Sequence, residues 1–209
     1  MPNMQEQLES NHFYHVYNKA VGNEKLFPRM NDYILFMEKY KYYISPISDT
    51  FAWCLIPNHF HFLIRIKDEK EITKQIQMRV PNPHKNMEID VGKVIICQFS
   101  HFFNSYAQAY NKHYDRCGSL FKNRFKRKRI TDDNYLKQLI LYIHCNPIKH
   151  KICDNINYWQ FSSFPDFMNR TTDLIKLNEV LGWFDDLNNF VYCHKNSVEL
   201  KLEYALEHE

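Results

Sequence analysis

The sequence predicts an α+β fold with the element order β-α-β-β-α-β, and three observations carry that prediction. Three stretches rich in aromatic and β-branched residues read as strands, and a fourth is basic with a strand's alternation. Two longer stretches repeat apolar residues at helical spacing. One tight turn, Pro57-Asn58, joins the second and third strands directly as a hairpin.

The first strand lies in NHFYHVYNKAV, residues 11–21. In PRMNDYILFMEKYKYYI, Asn31 or Asp32 is placed to cap a helix with Ile34, Leu35 and Met37 on its stripe, and Pro46 stops it. DTFAWCLI, residues 49–56, is the second strand, and the third follows the turn within CLIPNHFHFLIRIK. Alternation puts His59, His61, Leu63 and Arg65 on one face, while Phe60, Phe62, Ile64 and Ile66 take the other.

Residues 68–93 are polar, contain Pro81 and Pro83, and are expected to be an insertion. Residues 94–114 predict a second long helix with Phe99, Phe102, Phe103 and Tyr106 in the core. GSLFKNRFKRKRI, residues 118–130, predicts a turn glycine and a basic, alternating strand. This order is that of a ferredoxin-like antiparallel sheet with helices on one face and strands one and three in the middle.

A third helix follows in TDDNYLKQLILYIHCNP, capped within Thr131–Asp133 and ended by Pro147. Gln138, Tyr142 and Asn146 line one polar stripe of it, and Leu136, Ile140 and Ile143 its apolar side. YWQFSSFPDF, residues 158–167, is expected to be extended or turn-like. The chain is expected to divide into a domain over residues 1–170 and a helical, acidic C-terminal extension over 171–209.

At 209 residues, with 44% hydrophobic and 24% charged residues, the chain can bury a substantial core. No apolar run reaches membrane-spanning length and the first residues lack a signal-peptide pattern, so a cytoplasmic protein without a membrane partner is expected. The six cysteines form no CxxC pair, which argues against a zinc ribbon and for small buried hydrophobes. Neither GxGxxG nor GxxxxGK occurs, so chemistry driven by ATP or a dinucleotide is not expected. Residues 119–130 hold six Lys/Arg and no acid, whereas residues 173–209 hold eight acids and three Lys/Arg. That asymmetry suits a partner carrying phosphates, although a basic loop can also be merely solvated.

An HxH pair is a weak signal in a chain with eleven histidines. Its setting strengthens it: two imidazoles share one face at the start of a central strand, where a divalent metal can bind. Asn146 supplies an oxygen donor of the kind Mg²⁺ or Mn²⁺ accepts, whereas zinc usually seeks a thiolate or a third imidazole. Tyr142 lies one helical turn before Asn146 and can direct its phenol at the metal's ligand, although most of the fourteen tyrosines must simply pack.

HFYHVYNKA, PNHFHFLI, FNSYAQAYNKHYDRCGSLFKNRFKR, YIHCNPIKH and YWQFSSF, taken together and in this order over residues 11–167, resemble the REP-associated tyrosine transposases. These are single-tyrosine HUH (His-hydrophobic-His) transposases of the insertion-sequence-200-like kind. The resemblance implies a ferredoxin-like domain that cleaves and rejoins single-stranded DNA beside hairpins through a 5′-phosphotyrosine. It puts the HUH histidines at His59 and His61, the nucleophile at Tyr142 and the third ligand of Mg²⁺ or Mn²⁺ at Asn146. His144 stands where the family often has an acid, and the helix spacing turns it away from Tyr142.

Single-stranded or hairpin DNA is thus the expected partner of a monomer or homodimer. Lys122, Arg124, Lys126, Arg127, Lys128 and Arg129 are expected at backbone phosphates. Tyr17, Asn18, Lys19 and Lys25 are expected at the hairpin or its flanking bases, with Phe121 or Phe125 candidates for stacking. A non-catalytic single-stranded nucleic-acid-binding module is the alternative; it explains the basic strand but leaves the histidines, Asn146 and Tyr142 without a role.

Overall fold

The computed structural model describes residues 6–79, 90–122, 124–170 and 172–199. Strands β1 (Phe13–Lys19), β2 (Ser48–Ile56), β3 (His59–Ile66) and β4 (Lys126–Ile130) form one antiparallel sheet in the order β2-β3-β1-β4. The predicted α+β class and the central position of β1 and β3 are therefore present. Pro57-Asn58 closes the hairpin between Ile56 and His59. Two backbone bonds pin that turn: Ala20 N–H to the Asn58 carbonyl at 2.8 Å and Phe27 N–H to the Pro57 carbonyl at 3.1 Å.

The back of the sheet carries helices α1 (Met30–Tyr43) and α3 (Val91–His113). Phe36 packs on Phe60 at 5.1 Å and on Phe102 at 4.8 Å, and Tyr40 stacks on Phe62 at 4.2 Å. Fully burying one such ring contributes roughly 1.5–3 kcal/mol, so this aromatic layer is a principal source of cohesion. The α1 stripe is only partly the expected one: Leu35 and Met37 pack half-buried against the core and Ile34 is exposed, while Tyr33, Phe36 and Tyr40 are the aromatic residues buried there. Spacing alone permits either face, and the aromatic one covers more of the Phe60/Phe62 surface. The cap also differs. Arg29 is the N-cap, and Asp32, three residues on, accepts its backbone N–H at 2.8 Å.

Within 68–93, residues Glu69–Arg79 form helix α2 with Ile72 buried, Asp90 caps α3 through the Lys93 N–H, and 80–89 lie outside the described residues. The expected basic strand shortens to Lys126–Ile130. Leu120 and Phe121 are both buried, but they lie outside the regular strand. The chain there makes a single bridge from Phe121 to Ala20 after the positive-φ Gly118.

Helix α4 (Asp133–Lys149) lies across the front of the sheet, mainly against β2, and Asp132 caps it by accepting the Tyr135 N–H at 2.7 Å. Pro147 does not end it. The missing proline N–H leaves the last turn to close past it, with His150 N–H bonding the Asn146 carbonyl at 3.0 Å.

The segment over 158–167, expected to be extended or turn-like, begins at the end of a 3₁₀ turn (Ile156–Tyr158) and then bonds the β2 edge, Leu55 N–H to the Phe161 carbonyl at 2.9 Å. Helix α5 (Phe164–Asn169) follows. An uncovered strand edge would invite foreign strands, and this segment covers it. Helices α6 (Leu177–Trp183) and α7 (Leu187–Glu199) bring Val180, Phe184 and Phe190 into the same core. Trp183 stacks on Phe51 at 5.1 Å, and Glu179 binds Arg65 at 2.7 Å. Residues 200–209, the acidic end, lie outside the described residues.

All six cysteines are free, but only Cys54 is fully buried; Cys97 and Cys117 are exposed, contrary to the expectation for most of them. Among the described residues no helix is long and apolar enough to cross a membrane.

Candidate active site

Strand β3 sets His59 opposite Lys19 and His61 opposite Tyr17 in β1, all facing α4. The ring of His59 is held at both nitrogens. Its Nδ1 lies 2.9 Å from Asn58 Oδ1 and its Nε2 lies 3.1 Å from Asn146 Oδ1. If Nδ1–H donates to the Asn58 oxygen, Nε2 carries only a lone pair, and it then faces a second lone pair on Asn146. Two acceptors at that distance repel unless a cation lies between them or the amide turns its NH₂ inward. Asn146 is fully buried, and its Nδ2 has no hydrogen-bond partner among the described residues. This donor set fits a divalent metal: an imidazole nitrogen and an amide oxygen converge, with a second imidazole beside them.

That second imidazole, His61, has its ring 5.1 Å from that of His59 and its Nδ1 2.9 Å from His15 Nε2. Burial holds both ligand candidates neutral, as metal ligation requires. Desolvation, aided by nearby His150, lowers the His59 pKa to about 4, and desolvation with the neighbouring His15 drives His61 well below the usual imidazole range. No group of three His, Cys, Asp or Glu side chains capable of holding a metal occurs among the described residues. A metal here therefore depends on the Asn146 oxygen as well as the two histidines.

Tyr142 is buried one turn before Asn146 on α4 and meets the His61 ring edge-on at 5.4 Å. The Lys149 ammonium lies 5.1 Å from the centre of its ring. Tertiary structure thus gathers the four residues singled out for chemistry, from β3 and α4, into one site.

The basic residues divide. Lys19, Lys122 and Lys126 line a pocket with Tyr17, Asn18, His59 and His61, so these cations adjoin the histidine pair. On β4, Lys126 and Lys128 share the front face with Tyr17 and His15. Arg127 and Arg129 take the other face: Arg127 bonds the Glu6 carbonyl and lies over Phe125 at 5.0 Å, and Arg129 pairs with Glu9 at 2.9 Å. Arg124 lines a separate groove beside α3 with Lys122 and Arg127. Lys25 is exposed on the loop before α1. Phe121 and Phe125 are core residues, Phe125 stacking on Phe99 at 4.8 Å.

Three residues near the site escape the sequence reading: His15, His150 and Lys149. The His150 ring lies 4.6 Å from that of His59. Its signal was helical: Tyr142, Asn146 and His150 are four apart. His15 had a strand signal, sharing the face of Phe13 and Tyr17.

His144 does turn away from Tyr142, into a buried chain of hydrogen bonds. Its Nδ1 lies 2.8 Å from His194 Nε2 on α7 and its Nε2 2.8 Å from Ser163 Oγ. His194 Nδ1 must donate to the Phe190 carbonyl at 2.7 Å, so His144 Nδ1–H donates to His194 and the Ser163 hydroxyl donates to His144.

Fold and site together define a ferredoxin-like α+β protein with a His-hydrophobic-His pair on a central strand facing a tyrosine-bearing helix. Comparison with known proteins points the same way as the motif set. The chain is 27% identical over 118 residues to a protein of Haemophilus influenzae named "Putative REP-associated tyrosine transposase", the match covering 56% of this chain and 58% of that protein. Its fold is similar to that of a REP-associated tyrosine transposase solved bound to a REP hairpin. That match has a TM-score of 0.58 and 14% identity, and covers 85% of this chain and 90% of the other. The chain spans somewhat over half the length of the curated relative, and no family model matches it.

Proposed function

We propose that this protein cleaves and rejoins single-stranded DNA beside hairpins, with Tyr142 as the nucleophile and a 5′-phosphotyrosine as the intermediate. The observation that carries the reading is the convergence of His59, Asn146, His61 and Tyr142, with both histidines also lining a pocket beside Lys19, Lys122 and Lys126. The similar proteins, one named a putative REP-associated tyrosine transposase and one, similar in fold, solved bound to a REP hairpin, support hairpin DNA as the partner.

His59, His61 and Asn146 would hold Mg²⁺ or Mn²⁺, which when bound polarises a phosphate and steadies a leaving oxygen. Lys19, Lys122 and Lys126 draw the phosphate backbone into the pocket. Burial of Tyr142 and its edge contact with His61 restrict the ring, which favours an oriented phenol before substrate arrives. The Tyr142 oxygen forms a bond to phosphorus as the bond from phosphorus to the 3′ oxygen breaks. The phenol loses its proton, and the 3′ oxygen takes one up. Attack by another 3′-OH reverses these changes, so rejoining conserves the phosphodiester bond and requires no nucleotide cofactor.

The test is a denaturing gel of the protein with end-labelled hairpin oligonucleotides and Mg²⁺ or Mn²⁺. A covalent adduct should form, with the 5′-phosphate mapping to Tyr142, and Tyr142→Phe should bind the hairpin yet form none. A label on another tyrosine refutes the assignment. Hairpin binding with no adduct under any metal favours a non-catalytic binding module.

A further inference from the structure

We propose that His15 is a positioning residue that keeps the metal-facing nitrogen of His61 bare. The proposal rests on the metal reading of the site given above. It adds a residue that neither the motif set nor the comparisons assign.

A metal-ligating imidazole coordinates through one nitrogen and carries its proton on the other, and that proton needs an acceptor. For His59 the acceptor is Asn58 Oδ1, in the hairpin turn, 2.9 Å from Nδ1. For His61 the atom in the same relation is His15 Nε2, also 2.9 Å from Nδ1. Both histidines are thus contacted at Nδ1; Asn58 Oδ1 can only accept, whereas His15 Nε2 accepts when His15 holds its proton on Nδ1, a buried nitrogen with no hydrogen-bond partner among the described residues.

Local geometry explains why a histidine fills this role. His15 is fully buried on the central strand β1, where the backbone acceptors are engaged in the ladders to β3 and β4. Its ring is nearly coplanar with that of His61, 21° apart, and Tyr17 stacks on it at 4.5 Å. That stacking, and the edge contact with Tyr142 at 6.5 Å, restrict rotation of the ring. When His61 ligates through Nε2, its Nδ1–H donates to His15 Nε2 and His15 carries its own proton on Nδ1. Both rings stay neutral with one proton each. Without this acceptor, the preference of His61 for protonation at Nδ1 is lost, and so is the fixed orientation of its ring.

The test uses the full chain and Mn²⁺, with free ion read by electron paramagnetic resonance, so no DNA cleavage is involved. His15→Leu should weaken Mn²⁺ binding by about 10- to 100-fold, the range typical for loss of an outer-shell partner. His15→Gln, whose amide oxygen reaches the place of Nε2, should recover most of that affinity. His15→Asn is polar but too short to reach it and should behave like His15→Leu, which separates an acceptor effect from a packing one. Thermal unfolding confirms that each variant compared is folded, and the Gln/Asn pair still decides the matter if the Leu variant is not. In ¹⁵N spectra with saturating Mg²⁺, wild-type His61 should be protonated at Nδ1. If wild type binds Mn²⁺ and all three variants bind it equally, or Gln is no better than Asn, this inference falls alone. If wild type binds no Mn²⁺, the metal reading beneath it falls too.

Discussion

Replacing His194 by leucine tests whether α7 holds the helix that carries Tyr142. His194 is fully buried, and its ring packs on Phe190 at 4.2 Å and Phe164 at 4.9 Å, so leucine refills most of the volume. What leucine cannot do is accept the proton of His144 Nδ1, which sits 2.8 Å away on α4 and is itself fully buried. An orphaned buried donor costs about 1–3 kcal/mol, and imperfect repacking adds about 1 kcal/mol. A loss of about 2–4 kcal/mol lowers Tm by roughly 4–16 °C in a chain of this size. The double variant His144→Leu/His194→Leu removes both ends of the bond. It should therefore cost less than the sum of the singles, by about 1–2 kcal/mol. The assay is thermal and urea unfolding of all four proteins at pH 7. A single variant within 0.5 kcal/mol of wild type, or strict additivity, refutes the network as an anchor. The same chain predicts a pH effect. Burial holds the His194 pKa at about 4 and His144 well below the ordinary imidazole value. Below the unfolded value of about 6.5 the unfolded chain binds protons that the folded one excludes, so stability falls as pH drops from about 6.5 towards 4. His194 alone contributes roughly 3 kcal/mol across that window, and the His194→Leu variant should show a correspondingly shallower slope.

His59→Ala and His61→Ala should each abolish Mg²⁺- or Mn²⁺-dependent cleavage while hairpin affinity, measured in a filter assay, stays within a few-fold of wild type. Loss of binding in a folded variant would instead make the histidines recognition residues. The division of β4 between two faces predicts unequal salt effects. Lys126→Gln/Lys128→Gln should reduce the slope of log K against log [NaCl] by about 1.4 for single-stranded DNA, at ~0.7 per phosphate contact. Arg127→Gln/Arg129→Gln, on the face held by Glu6 and Glu9, should change it by much less. Equal flattening by the two pairs would refute the assignment of faces.

Much of this was legible in the chain because it depends on local periodicity. Alternation in β3 put both imidazoles on one face and four apolar residues on the other, and the structure keeps that division. Four-residue spacing placed Tyr142 beside Asn146 in the same way. Expectations failed where two local patterns compete. On α1 the aliphatic and aromatic stripes are both helical in spacing, and only the shape of the sheet's back chose Tyr33, Phe36 and Tyr40. Pro147 reads as a stop, yet α4 continues because a proline in the last turn forfeits only one hydrogen bond.

The sequence by itself determined the order of elements, the shared face of His59 and His61, and the pairing of Tyr142 with Asn146 on one helix, all set by repeats of two and 3.6 residues. Tertiary structure alone decided that His15 meets His61 across two strands and that His150 approaches His59. It also decided that Lys126 and Arg127, adjacent in the chain, serve opposite faces of an edge strand whose limits the sequence overestimated. The C-terminal helices show the difference most clearly. Their helical pattern was readable, but the bond from His144 to His194 joins residues fifty apart and follows from no periodicity. It arises because α4 and α7 pack in the dry interior, where a buried imidazole must find a partner.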